Sequence, residues 1–343
     1  MASSSWVTRK SMSVGRLPSC SLSLLFMLFM LQPAVAKRYR LSRWDIPKAN
    51  YSGITPLGGE KYAVVSDEQP EAGFYVWTLK MDSVSGKITD VRDDGFYGLA
   101  WPFDRDAEGI AFCPQRNTLF ISGEEDQRIL EHRLDGTLTG EEIRVPQYAG
   151  KEFIQYNRGF EALGYDPREH LFWTVTESPL KEDEALHLRM MSFGPDLKLA
   201  SEYRYSLDPP QARNHGRDHY HGVVAVTPFP GGGLLVLERE ARIARAYNGS
   251  RCWCKLFLYN PLSGQKKLLE RWSTRFHLFN TLFSNYEGMC LGPVLADGTQ
   301  TLLLLADSQG GSGVGPWRLR DRLKVIRLNP ENSDIFKNIN PCY

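Results

Sequence analysis

Ser52-Gly53-Ile54 is the first of five copies of one short motif, in which a polar, a small and an apolar residue follow one another. The later copies are Glu108-Gly109-Ile110, Glu161-Ala162-Leu163, His221-Gly222-Val223 and Glu287-Gly288-Met289. Their first residues are separated by 56, 53, 60 and 66 positions. Self-similarity at a period of this length is typical of propellers and solenoids.

Each copy of the motif is followed by an apolar run that ends in an acidic residue. The five acids are Asp67, Glu124, Glu177, Glu238 and Asp307. The first four repeats each contain four strand-like segments, separated by turns rich in Gly, Pro, Asp and Ser. No segment has the pattern of a long amphipathic helix. We therefore predict an all-β propeller of five four-stranded blades, with six blades as the alternative.

The ends of the chain indicate how the ring closes. The fifth repeat supplies only three strand-like segments, and one further segment, residues 39–46, lies ahead of the first repeat. If this N-terminal strand fills the vacant outer place, the last blade has no missing strand and the ring needs no other closure. The long segment 308–322 is the part of the sequence that leaves room for a sixth blade.

The N-terminus has the composition of a secretory signal peptide. Three basic residues precede an apolar stretch at 22–31, and Ala34-Val35-Ala36 follows it. This order of basic, apolar and small residues predicts cleavage after Ala36. A membrane anchor is the alternative, but this stretch of ten residues is shorter than the roughly 20 apolar residues that a spanning helix needs. We expect a signal peptide at 1–36, a single propeller domain at 37–343, and a secreted or periplasmic protein that leaves the membrane after cleavage.

Composition excludes several classes of partner. The 343 residues carry a formal net charge of +1, with 42% hydrophobic and 24% charged residues. Bulk attraction to nucleic acid needs a basic excess, so we expect no nucleic-acid partner, and we expect a monomer.

Cysteines are too few for a disulfide framework. A bond from Cys342 to Cys252 or Cys254 stays open, and Cys-x-Cys alone is a poor zinc signal.

Propeller geometry predicts that the recurring polar residues meet. The first strand of a blade lines the channel and the second runs antiparallel to it, so the start of one and the end of the other share one mouth. The motif residues Ser52, Glu108, Glu161, His221 and Glu287 then form an inner circle. The five acids that end the second strands form an outer circle around it. Eight carboxylates are thereby expected at one opening.

Crowded carboxylates require compensation. Two unit charges about 4 Å apart interact by about 4 kcal/mol at an effective dielectric constant near 20. Protonation, neighbouring arginines or a bound cation can relieve this, and oxygen ligands favour calcium over zinc. We predict calcium as the cofactor; the predicted ligands are Asp67, Glu108, Glu161, Glu177, Glu238, Glu287 and Asp307. The alternative is that some acids cap turns or pair with arginines between blades.

A basic segment, residues 213–221, leads directly into the fourth repeat and contains three of the seven histidines. Arginine and histidine donors at the acidic mouth are suited to binding an anionic group. The predicted substrate-binding residues are Arg158, His215, Arg217, His219 and Arg239. A solvated loop is the alternative. Coordination of a metal by histidines is a third interpretation, since residues 219 and 221 lie on one side of an extended chain.

The repeats resemble the phytase-like propeller proteins described as having esterase-like activity of phytase. The resemblance rests on Tyr51-Ser52-Gly53-Ile54, Val64-Val65-Ser66-Asp67, Asp106-Ala107-Glu108-Gly109-Ile110, Phe160-Glu161-Ala162-Leu163, Thr176-Glu177-Ser178, Leu237-Glu238-Arg239-Glu240 and Asn285-Tyr286-Glu287-Gly288-Met289. It covers roughly residues 50–328. The resemblance implies ester or phosphoester hydrolysis, with calcium binding the phosphate and activating water. Ser52 and His221 depart from an all-acidic inner circle.

These observations give one main functional hypothesis and two alternatives. The main hypothesis is an exported, calcium-dependent hydrolase of a small anionic ester, most plausibly a phosphoester. Its predicted catalytic residues are Glu108, Glu287 and His221, the last as a proton donor. The first alternative is a non-catalytic, calcium-stabilised propeller that binds a glycan or peptide. The second is a glycoside hydrolase that uses paired carboxylates.

Overall fold

The computed structural model describes residues 37–67, 69, 71–100, 105–245, 247–277, 280–311 and 318–328. These residues form five antiparallel β-sheets, each of which is one blade. The predicted signal peptide lies outside the described residues, and so does Cys342. No helix in the described part of the chain is long and apolar enough to cross a membrane.

The strands of the first four blades follow sequence order from the channel outwards. Blade 1 contains β2 (Tyr51–Gly58), β3 (Lys61–Ser66), β4 (Glu71–Met81) and β5 (Ile88–Ala100). Blade 2 contains β6 (Ala107–Cys113), β7 (Thr118–Gly123), β8 (Arg128–Arg133) and β9 (Leu138–Ile143). Blade 3 contains β10 (Ala162–Asp166), β11 (Leu171–Val175), β12 (His187–Phe193) and β13 (Leu199–Ser206). Blade 4 contains β14 (Asp218–Pro228), β15 (Leu234–Ile243), β16 (Arg251–Tyr259), β17 (Lys266–His277) and the short β18 (Asn280–Thr281).

The fifth blade joins both ends of the propeller. It contains β19 (Asn285–Val294), β20 (Gln300–Asp307), β21 (Arg322–Leu328) and, as its outer strand, β1 (Lys37–Arg40). Strand β1 pairs antiparallel with β21, which confirms the predicted closure by the N-terminal strand. The strand is shorter than the expected 39–46 because Leu41–Trp44 turns into a 3-10 helix and buries Leu41.

The inner strands contact one another in the closed cycle β2, β6, β10, β14, β19 and back to β2. This cycle confirms five blades. The small residue of the motif is explained by the closeness of these strands. A Cβ on Gly109 would lie 2.6 Å from the carbonyl oxygen of Glu161, and one on Gly288 would lie 2.7 Å from that of Ser52. The small residue therefore recurs because the inner strands pass close to the backbone of a neighbouring blade, as they do at all four glycines of the motif.

The hydrophobic core is divided into five clusters, each shared by two neighbouring blades. Phe120 of blade 2, for example, packs against Phe172 of blade 3, with ring centroids 4.4 Å apart. The core also contains cysteines: Cys252 and Cys254 are buried and free on β16, with sulfur atoms 3.8 Å apart. Burial of apolar surface between blades, rather than within one sheet, holds the ring together.

Candidate functional site

The outer-circle acids of blades 1, 2, 3 and 5 occupy one equivalent position. Each lies opposite the residue two places before the inner-circle residue of its own blade. The pairs are Asp67 with Asn50, Glu124 with Asp106, Glu177 with Gly159 and Asp307 with Asn285. Backbone N–H donation joins the first three pairs at 3.2, 2.8 and 2.8 Å. The structure therefore brings four of the five predicted acids to the mouth.

The fifth acid, Glu238, does not join them. It lies opposite Val223, inside the fourth blade, because the β-bulge of this blade falls after that residue rather than at the inner-circle position. Its carboxylate accepts hydrogen bonds from the Tyr205 hydroxyl at 2.9 Å and pairs with the Lys266 ammonium at 2.6 Å. Since side chains alternate along a strand, the next residue, Arg239, points to the opposite face and reaches the channel.

The mouth holds a connected group of eight carboxylates and two guanidinium groups, which we call the acidic cluster. The acids are Asp67, Asp106, Glu108, Glu124, Glu161, Glu177, Glu287 and Asp307. The guanidinium groups belong to Arg158 and Arg239. Because acids outnumber these two cations, the cluster keeps an excess of negative charge that protonation or a further cation must balance.

Arg239 lies at the centre of the acidic cluster and is 4% exposed. It donates to Glu177 at 2.5 Å and to Glu287 at 3.0 Å, and lies 3.8 Å from Glu161. It also donates to the amide oxygen of Asn285 at 2.7 Å. The role of Arg239 in substrate binding stays a prediction. In the structure both terminal nitrogens of its guanidinium group contact acids of the cluster, so that it acts as an internal counterion.

Arg158 is engaged in a similar way. It donates to both carboxylate oxygens of Glu177, at 2.9 and 3.0 Å, and to the backbone oxygen of His219 at 3.1 Å. Its guanidinium carbon lies 4.4 Å from the ring centroid of Tyr220. The side chain keeps 17% exposure. Its main partners are therefore protein groups that link blade 3 to blade 4.

Asp67, Asp106 and Glu108 form the strongest candidate metal centre among the described residues. One carboxylate oxygen from each lies within 4.8 Å of the other two, and all three side chains are partly exposed. The sequence predicted Asp67 and Glu108 but missed Asp106. A signal for it was present, because residues two apart on an extended chain point to the same side.

The crowding shifts the pKa values of the acids. Burial, together with the neighbouring carboxylates, raises the pKa of Glu108 well above its ordinary value. Burial likewise raises the pKa values of Glu161 and Glu287, against the opposing effect of Arg239. Burial raises the pKa of Glu124 to about 7 and that of Asp307 to about 6. Part of the excess charge is therefore relieved by protonation when no cation is bound.

The two non-acidic members of the inner circle have different environments. The Ser52 hydroxyl is buried and donates to the backbone oxygen of Ala107 at 2.6 Å, which ties blade 1 to blade 2. His221 is partly exposed, and burial lowers its pKa although Glu240 opposes this. A neutral ring at neutral pH is suited to accepting a proton, whereas the sequence-based hypothesis had His221 bind the anion or serve as the acid.

The basic segment, residues 213–221, lies at the rim of the mouth and ends at His221. His219 contacts His215 through the two Nδ1 atoms at 2.9 Å and contacts Glu240 through Nε2 at 2.9 Å. Arg217 is exposed, donates to the Tyr247 hydroxyl at 2.6 Å and lies 3.3 Å from Asp218. Of the predicted substrate-binding residues, His215 and Arg217 are thus the ones most open to solvent.

Comparison with known proteins gives one match that covers most of the chain. A family model described as "Phytase-like: Esterase-like activity of phytase" matches residues 46–309. No curated protein matches the sequence.

Solved structures also match, at low identity. A streptogramin B lyase structure is 12% identical, covering 85% of this chain and 97% of that chain, with a TM-score of 0.37. The Pseudomonas aeruginosa periplasmic gluconolactonase PpgL is 16% identical, over 79% and 71% of the two chains, with a TM-score of 0.37. The tail fiber of Staphylococcus aureus phage P68 is 12% identical, over 89% and 55%, with a TM-score of 0.46.

Proposed function

The chain belongs to the phytase-like family (esterase-like activity of phytase), and we propose that it is an exported, calcium-dependent hydrolase of an anionic ester, with a phosphoester as the favoured substrate. The observation that carries this proposal is the convergence of Asp67, Asp106 and Glu108 at one mouth of the propeller.

The donor set fits calcium. All three candidate ligands offer carboxylate oxygens, which hard cations prefer, and calcium accepts flexible geometries with several such ligands. Close by, the buried Oε2 atom of Glu161 has no hydrogen-bond partner among the described residues. The raised pKa of Glu108 indicates that its charged form lacks sufficient compensation from the protein alone. A divalent cation would supply that compensation.

The five-fold arrangement suggests how substrate would be held. In a five-bladed ring the junction of blades 1 and 2 lies across the channel from blade 4. The candidate ligands come from blades 1 and 2, whereas His215, Arg217 and His221 come from blade 4 or its entry loop. Calcium, when bound, would supply positive charge for the anionic group and would activate water.

In this proposed arrangement, different side chains bind the anion, accept the proton and hold the channel walls. Arg217 and His215, which are open to solvent, attract the anion at the rim. The neutral imidazole of His221 accepts a proton from the attacking water. Arg239 and Arg158 hold Glu177 and thereby fix the walls of the channel.

The two alternatives differ in their support. A non-catalytic, calcium-stabilised propeller that binds a glycan or peptide uses the same acidic cluster and is separated from the proposal by assay. Glycoside hydrolysis needs two carboxyl groups facing a sugar across roughly 5 to 10 Å. Glu161, Glu177 and Glu287 instead gather around one arginine, so we do not extend the proposal to that reaction.

The test is turnover by purified protein of residues 37–343. Phosphomonoesters and carboxylic esters of p-nitrophenol are assayed with calcium and with a calcium chelator. We expect calcium-dependent phosphomonoester turnover that Asp106→Asn lowers by at least about 100-fold, since it removes a direct ligand. Asp196→Asn, which changes an exposed acid elsewhere, is the matched control. Absence of turnover in both conditions, together with glycan or peptide binding, would replace the proposal with the binding alternative.

A further inference from the structure

His215, His219 and Glu240 form a chain of contacts at the rim that lies outside the acidic cluster. The two histidines face each other through their Nδ1 atoms at 2.9 Å. The other ring nitrogen of His219, Nε2, lies 2.9 Å from Oε1 of Glu240. His215 is exposed on the loop that precedes β14, whereas His219 lies on that strand and keeps 12% exposure.

Glu240 is a fixed acceptor. It is 4% exposed, and its carboxylate accepts backbone N–H groups from Gln211 at 2.6 Å and Ala212 at 2.8 Å. These two backbone donors hold the carboxylate in place beside the His219 ring. A carboxylate only accepts, and His219 must therefore carry its proton on Nε2.

In the neutral tautomer with the proton on Nε2, Nδ1 of His219 carries a lone pair, and this nitrogen lies 2.9 Å from Nδ1 of His215. A carboxylate that accepts from one ring nitrogen while the other nitrogen is free is the arrangement that orients and strengthens histidine ligands of metal ions. Two imidazole ligands of a tetrahedral zinc ion, each about 2.0 to 2.1 Å from the metal, lie about 3.3 Å apart. The observed 2.9 Å needs only a small outward movement of the exposed His215.

We propose that His215 and His219 bind a transition-metal ion of the zinc class at the rim, with Glu240 as the positioning residue. Imidazole nitrogen selects such ions over calcium, so this site and the acidic cluster differ in the metal they take. Two protein ligands leave positions open for water or for an anionic ligand. The inference stands independently of the hydrolytic function, because it rests on contacts of blade 4 and its entry loop alone.

The site is tested by binding of cobalt and zinc in millimolar calcium, which keeps the acidic cluster occupied. Cobalt gives visible absorption bands that report nitrogen coordination, and zinc competes for the same site. We expect one equivalent of cobalt per chain, displaced by zinc. His215→Ala and His219→Ala each abolish the bands, and Glu240→Gln weakens affinity by about 10- to 100-fold.

His187→Ala is the matched control, because His187 is a partly buried histidine on β12 with its own arginine and glutamate neighbours. It should leave cobalt binding unchanged. Since His215 is exposed, its variant keeps the fold, which circular dichroism and the melting temperature verify. Absence of stoichiometric cobalt or zinc binding, or equal binding by wild type and His215→Ala, would show that the two rings share only a hydrogen bond and would overturn the proposal.

Discussion

Replacing Arg239 with methionine should lower the free energy of unfolding, because the acidic cluster loses its internal counterion. Methionine has a similar length but no charge, so the change removes the guanidinium group that contacts Glu177 and Glu287. Glu177 is 1% exposed, and among the described residues it then keeps Arg158 alone as a cationic partner. Removing one partner of a buried ion pair typically costs about 3 to 5 kcal/mol, because the remaining charge stays buried.

The loss should depend on pH. The carboxyls of Glu161 and Glu287 already have raised pKa values, and removing the cation raises them further. A group whose pKa is raised in the folded state contributes stability below its unfolded pKa, and this is lost as pH rises through the folded value. The penalty of Arg239→Met is therefore expected to be largest near pH 8 and to shrink towards pH 5.

The assay is chemical denaturation of wild type and variant in chelator at several pH values. Arg251→Met is the matched control, since Arg251 lies on the neighbouring strand, stacks on Trp253 at 4.8 Å and donates to Ser273 rather than to an acid. A loss for Arg239→Met no larger than that for Arg251→Met, or a loss independent of pH, would refute the assignment of Arg239 as the internal counterion.

Three further predictions concern other parts of the molecule. In chelator, the pKa of Glu124 near 7 means that the folded protein binds more protons than the unfolded chain above pH 4.5. Up to about 3 kcal/mol of the free energy of unfolding should therefore be lost by pH 8. Glu124→Gln should flatten this pH dependence in chemical denaturation. Gly109→Ala should lower the free energy of unfolding by at least about 2 kcal/mol, because its Cβ would meet the Glu161 carbonyl oxygen at 2.6 Å. The control is Gly194→Ala, whose Cβ would meet only the Asp196 side chain at 3.1 Å. Deleting β1 should uncover β21 and produce aggregation in light scattering, and an unchanged monodisperse protein would argue against closure by that strand.

The fold followed from the sequence because the repeat is imposed by packing. The glycine of the motif is needed wherever two inner strands approach closely, as at Gly109 and Gly288, so it recurs at the blade period. The acids at the ends of the second strands of blades 1, 2, 3 and 5 occupy one equivalent position at the mouth, so these four also recur at the blade period. A repeat that packing imposes in this way can be recognised in a single sequence, and it predicts the propeller architecture.

The site was less accessible to sequence reasoning because it depends on register. In blade 5 the bulge falls at Glu287, whereas in blade 4 it falls at Val224. A shift of this kind moved Glu238 into the blade and turned Arg239 towards the channel. Bulge positions are set by packing between blades, and the alternation of apolar residues does not reveal them.

The roles of Arg158 and Arg239 could not be predicted from the sequence, because they also depend on how the strands pair. Arg158 and Glu177 are 19 positions apart in the sequence, and their contact arises only when β10 and β11 of blade 3 pair and bring the two mouth ends together. Asp106 could have been identified from its spacing to Glu108. Glu240 could not, because its partners Gln211 and Ala212 come from an irregular loop.

If the acidic cluster requires a cation, calorimetric titration of calcium into the metal-free protein should detect its binding. Wild type and the control Asp196→Asn should bind calcium, release protons on binding at pH 6, and gain about 2.7 kcal/mol of stability at a hundredfold excess over the dissociation constant. Asp106→Asn should bind much more weakly. If wild type shows neither binding heat nor a rise in melting temperature at millimolar calcium, the acids are balanced by protons and arginines alone, and the account is contradicted.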